Sequence, residues 1–112
     1  METIIHYRSL ILAYLDEHAR YRPSHGDITP MTIVDETKDQ YLLVHSGWND
    51  LARVHSMILH VRIEAGKIWI EHDGTPPPGI ATYLVDEGVS PAAIVLGFYH
   101  PNKRTDTAFA VA

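Results

Sequence analysis

Eight histidines stand in this 112-residue chain, and they raise metal chemistry before anything else. An imidazole site needs ligands that share a face, or a recognisable spacing such as His-Glu-x-x-His on a helix. No such motif occurs here. His55 and His60 lie five apart in one β-prone run, a spacing that sends them to opposite faces of a regular strand. His72 follows the apolar alternation of its own run, and Asp73 beside it points the other way. A pairing of His60 with Glu71 across two strands reads as a surface hydrogen bond. The serines sit in no Gly-x-Ser-x-Gly elbow, the carboxylates form no catalytic pair, and the glycines make neither a phosphate loop nor a dinucleotide fingerprint. Cysteine is absent, which removes thiolate ligands, thiol nucleophiles and disulfides together. These residues predict a protein that is not an enzyme, with no catalytic, metal-binding or cofactor-binding residue.

Arginines near aromatic residues suggest a different chemistry. Trp48, Arg53 and Trp69 have the composition of protein–protein hot spots. Stacking on nucleic-acid bases uses the same groups, but 14 acids against 9 bases, a net charge of −5, disfavour it. Trp48 capping the core with Arg53 laid over it is the purely structural alternative. The candidate partner-binding set is Trp48, Arg53, His60, Arg62, Trp69 and Arg104.

The element that must position them runs from Arg53 to Asp73. Two β-rich stretches flank Ala65-Gly66, a strong hairpin signal. A two-residue turn sets Glu64 opposite Lys67, Ile63 opposite Ile68, Val61 opposite Ile70 and Leu59 opposite His72. One face is then apolar, with Leu59, Val61, Ile63, Ile68 and Ile70. The other carries His60, Arg62, Glu64, Lys67, Trp69 and Glu71. A slip by one residue would bury charge, so the pattern fixes the register. Ala65 suits a turn poorly if positive φ is required there, which leaves the turn type open.

Around this hairpin the chain predicts an amphipathic helix over 2–21, with Ile4, Tyr7, Ile11, Tyr14, Leu15 and His18 on one stripe, stopped by Pro23. Residues 27–35 read as a strand whose Pro30 confines it to an edge. Residues 41–48 form the next strand. Asp73 or Thr75 caps a second helix that opens at the three prolines, carries Ile80, Ala81, Leu84 and Val85, and stops at Gly88. A helical turn follows from Ser90, then a buried strand over 94–99, then a tail whose apolar end, Phe109 to Ala112, docks on the rest. The fold class is α+β: an antiparallel meander of about four to five strands, with a long N-terminal helix and a shorter second helix on one face. At 112 residues, 46% hydrophobic and 21% charged, this is a single domain over 1–112. The longest apolar run near the start, Leu10 to Leu15, is far below membrane-spanning length, and a cytoplasmic location without a secretory signal is expected.

Several segments, taken in order, resemble one family. They are Val44-His45-x-Gly47-Trp48, Arg53-Val54-His55, Ile58-x-His60, Gly66-Lys67-Ile68-Trp69-Ile70, Asp73-Gly74-Thr75, Gly79-Ile80-Ala81, Leu84-Val85-x-x-Gly88-Val89, Ile94-Val95-Leu96 and Arg104-x-x-Thr107-x-Phe109-Ala110-Val111. Together they look like the XisI family, the fdxN element excision controlling factors of cyanobacteria. The resemblance spans nearly the whole chain, from the His6-Tyr7 helix onward. Three prolines before the second helix, where the family has a shorter lead-in, and Tyr99-His100-Pro101 are departures. The resemblance implies a small cytoplasmic α+β accessory protein that acts with a companion, XisH, in controlling excision of a DNA element by a separate recombinase, by binding a XisH-like nuclease-related partner or the recombination machinery. No catalytic residues carry over from it. Alternatives are an antitoxin-like inhibitor of a nuclease-like partner, or direct contact with DNA; a homo-oligomer is a further expectation.

Overall fold

The computed structural model describes residues 2–112. Helix α1 (Glu2–Ala19) leads into β1 (Asp27–Asp35), β2 (Gln40–Asn49), β3 (Ala52–Glu64) and β4 (Lys67–Asp73). Then come α2 (Ile80–Asp86), a 3₁₀ turn (Pro91–Ala93), β5 (Ile94–Leu96) and the short α3 (Pro101–Arg104). The five strands lie in the sheet in chain order. β1 to β4 form the expected antiparallel meander, and β1 with Pro30 is an edge strand. β5 departs from it, pairing parallel to β4 through Ile68–Ile94 and Ile70–Leu96, which α2 makes possible as a crossover.

One face of the sheet holds the core. Tyr41, Leu43, Leu59, Val61, Ile63, Ile68 and Ile70 are buried there against Tyr7, Ile11 and Leu15 of α1 and Ile80 and Leu84 of α2. Burying each Leu or Ile is worth roughly 1.5–3 kcal/mol, so this layer fixes which face every strand presents. The α1 stripe is the predicted one; the helix ends at Ala19, two residues short of expectation. α2 also starts later than predicted. The three prolines precede it, Gly79 occupies the capping position, and the cap comes from upstream: the Ile80 amide donates to Asp73 Oδ2 at 2.9 Å.

The central hairpin has its predicted register from Glu64–Lys67 through Val61–Ile70. Ala65 (φ 52) and Gly66 (φ 78) both take left-handed angles, as a type I′ turn demands. Beyond Val61 the register changes. His60 lies opposite His72 and Leu59 opposite Asp73, not His72, because Glu71 is an extra residue on β4. A second bulge lies one strand over: Leu43 pairs Leu59 while Val44 pairs Met57, leaving Ile58 as the extra residue on β3. Each bulge inverts the alternation on one side of it. His72 therefore leaves the apolar face and is exposed, and Asp73 turns toward the helices. His55 and His60 come to share a face.

Two polar joints hold the helices in place. Thr75 Oγ1 donates to Asp73 Oδ1 (2.5 Å) and accepts from the Tyr14 hydroxyl (2.6 Å), tying α1 to the β4–α2 loop. Burial raises the pKa of Tyr14, so it stays a neutral donor. Arg8 on α1 grips Asp39 in the β1–β2 turn with Nε at 2.7 Å and Nη2 at 3.0 Å. Tyr41 donates to the same carboxylate at 2.8 Å. The bond to Arg8, more than any other effect, holds the Asp39 pKa below its ordinary value.

Candidate functional site

The sheet face away from the helices collects the candidate residues. Register places Gln40, Leu42, Val44, Ser46 and Trp48 of β2 there, beside Arg53, His55, Met57, His60 and Arg62 of β3 and Trp69 of β4. Arg104 arrives over the same face from the tail. The structure thus brings all six sequence-predicted residues to one side of the sheet, but it separates them into two ends with His60 between. His60 Nε2 bonds Gln40 Oε1 at 2.7 Å, so the expected His60–Glu71 pair is replaced. Glu71 belongs to Arg62. The bulge at Glu71 is the cause, since it sets His72, not Glu71, opposite His60.

At one end Trp69 is enclosed. The Arg62 guanidinium lies 4.6 Å from its ring centroid and that of Arg104 lies 5.4 Å away. Arg62 is itself anchored, with Nη1 on Glu64 at 2.7 Å and Nε on Glu71 at 3.0 Å. The bond to Glu64 raises its pKa against partial desolvation, so the cation is permanent. Arg104 donates to the carbonyls of Tyr99 (3.1 Å), Val111 (3.2 Å) and Gly97 (3.5 Å), holding the tail down. The Ala110 amide bonds the Ile94 carbonyl at 2.8 Å, and Lys67 Nζ bonds the Ala112 carbonyl. Trp69 Nε1 is buried and has no hydrogen-bond partner among the described residues. This tail docking is as the apolar chain end predicts, whereas α3 within it was not foreseen.

At the other end Trp48 is open. The residue is 51% exposed, with the Arg53 guanidinium 5.5 Å from the ring centroid. Arg53 is held by the Gly47 carbonyl at 2.9 Å and by Ser46 Oγ at 3.1 Å. Those bonds fix the guanidinium plane without covering either group. Gly47 is required by close approach: a Cβ there would stand 1.9 Å from the Asp27 carbonyl oxygen. Any side chain at this position would push β1 from β2 beside Trp48.

Sequence reading missed the apolar residues that continue this open end. Met31 and Ile33 of β1 project from the same face, where they pair with Val44 and Leu42, and Met57 pairs with Val44 from the other side. Ile33 (51%), Met57 (44%) and Met31 (39%) are all substantially exposed. The available signal was Ile58-Leu59, two adjacent apolar residues in an alternating run, which marks the bulge and so assigns Met57 to the outer face. Among the described residues no group of three or more His, Asp or Glu is arranged to hold a metal ion. No described helix is long and apolar enough to cross a membrane.

The sequence matches the XisI protein family over residues 1–111. This chain belongs to the XisI family. Its fold agrees with two solved structures from Anabaena variabilis ATCC 29413. A XisI-like protein is 32% identical, with a TM-score of 0.88 over 96% of this chain and 98% of its own. The fdxN element excision controlling factor XisI is 36% identical, with a TM-score of 0.84 over 98% of this chain and 99% of its own. The curated proteins gave no match.

Proposed function

We propose that this XisI-family protein is a non-enzymatic accessory factor in the control of DNA-element excision, acting by binding a XisH-like companion. The contact surface is the open end of the sheet: Trp48 and Arg53, extended by Met31, Ile33 and Met57. One observation carries this reading. Large apolar side chains that a packed core would claim are gathered, half exposed, on the sheet face turned away from α1 and α2. A rigid aromatic beside a pre-positioned arginine has the make-up of an interface anchor. His60 borders the surface, while Arg62, Trp69 and Arg104 support it from the closed end. The family and the excision-controlling relative supply the biological setting.

Co-expression with a XisH-like companion, followed by size-exclusion chromatography, tests the proposal. Co-elution that is lost on Met57→Asp, in a variant with unchanged circular dichroism, is the expected result. Two independent peaks at micromolar concentration count decisively against it. Direct DNA binding predicts instead a salt-dependent mobility shift of the isolated protein. The net charge of −5 favours its absence.

A further inference from the structure

Acids outnumber lysines and arginines in this chain by 14 to 9, yet one cleft contains no carboxylate. It lies on the helix side of the sheet, where the end of α1 and the loop after it overhang β2 and β3. Its volume is about 420 Å³, within the range of small-molecule sites. Leu43 and Ile58 give it an apolar floor, and His18, Arg22, His45 and Thr75 stand around them. The β3 bulge creates the floor, because it turns Ile58 to the helix side next to Leu59.

Arg22 is exposed and joins none of the ion pairs formed among the described residues. His45 is half-buried, and burial lowers its pKa, which keeps the ring neutral with one N–H to donate. His18 is braced by a 2.9 Å bond from Nδ1 to the Tyr14 carbonyl and by stacking on the Tyr14 ring, with centroids 4.1 Å apart. Thr75 is already committed to Asp73 and Tyr14, so it shapes the wall and adds no free charge. A cation at the mouth, a neutral donor inside and an apolar floor complement one kind of ligand. A phosphate would find too few donors and too much hydrocarbon; a purely apolar molecule would leave Arg22 unused.

We propose that this cleft binds a small organic acid, seating an apolar ring or short chain on Leu43 and Ile58 with its carboxylate at Arg22 and His45. The site lies on the opposite side of the sheet from the companion-binding surface and does not rest on that reading. The full chain, with Leu, Ile and Val methyls labelled, is titrated with 4-phenylbutanoate, with octanoate and with the uncharged 4-phenylbutanamide. Saturable shifts of the Leu43 and Ile58 methyls with at least one acid are expected, and the amide should bind about tenfold or more weakly. Arg22→Gln, at an exposed position, should weaken the acid by about the same factor while the remaining methyl spectrum stays unchanged. Equal binding of acid and amide overturns the proposal, as does an unaltered affinity in Arg22→Gln. So does the absence of saturable shifts with both acids.

Discussion

Two tryptophans on one sheet face, each stacked by arginine, meet opposite fates. Trp69 lies between Arg62 and Arg104 under a tail held by three backbone carbonyls. Trp48 has one arginine, no cover, and half its surface in water. The cation–aromatic chemistry is the same at both ends, and so it does not decide the role. What decides is whether the chain itself supplies the second layer. At the closed end the protein has used its aromatic group to complete its own fold, and at the open end it leaves one half exposed, which is the basis of the proposed contact surface.

The largest effect is expected where the chain closed the layer. Trp69→Ala should cost about 3 kcal/mol of stability, seen as a lower denaturant midpoint, with companion binding of the folded fraction unchanged. If stability holds and binding falls, the two ends have been assigned the wrong way round. Trp48→Ala should do the reverse. Companion affinity, measured by calorimetry, should fall about thirtyfold, the scale of an interface anchor, while stability stays within roughly 0.5 kcal/mol. Arg104→Ala removes the clamp but leaves the indole, and should cost on the order of 1 kcal/mol. Faster hydrogen exchange of the Ala110 amide, without faster exchange around Trp48, would tie that loss to the closed end.

The smallest effect is pH-dependent. Asp39 belongs to the closed end, since its carbonyl accepts from the Ile63 amide at 3.1 Å. Arg8 holds its folded pKa below the unfolded value of about 3.9. Its contribution is therefore complete above pH ~4 and disappears as pH falls through the lower folded value. The stability difference between wild type and Asp39→Asn should follow that course, narrowing only in acid. A difference that stayed constant down to full acid unfolding would show that the carboxylate charge contributes nothing.

The fold was legible wherever one residue type repeated with one period. The α1 stripe, the edge position forced by Pro30 and the hairpin register from Glu64–Lys67 to Val61–Ile70 all follow from such patterns. Bulges interrupt the period by a single residue, and their visibility depends on what is inserted. Ile58 beside Leu59 leaves two apolar neighbours as a trace. Glu71 beside His72 leaves none, because one polar residue replaces another. That silent slip misplaced His72 and created the expectation of a His60–Glu71 bond. The parallel direction of β5 was equally hidden: Ile94-Val95-Leu96 is buried on every side, and an all-apolar triplet carries no orientation. Of the candidate surface, the residue types were readable and the division into open and closed ends was not. That division depends on Arg104 crossing some 35 positions of chain to reach Trp69, a distance no local pattern encodes.

The strand order gives the molecule a schedule as well as a shape. β2, β3 and β4 each pair antiparallel with the strand just before them, so these contacts close short loops and are entropically inexpensive. β5 reaches β4 only through the α2 crossover, a longer loop to close, and the tail's Ala110 amide in turn bonds the Ile94 carbonyl of β5. Contact order predicts that Trp48 reaches its final surroundings with the first hairpins and that Trp69 gains its cover later. The chain has two tryptophans, so two single-tryptophan variants would separate assembly of the meander from closure of the tail in time. Until that closure, a growing chain would expose both aromatic ends of the sheet at once.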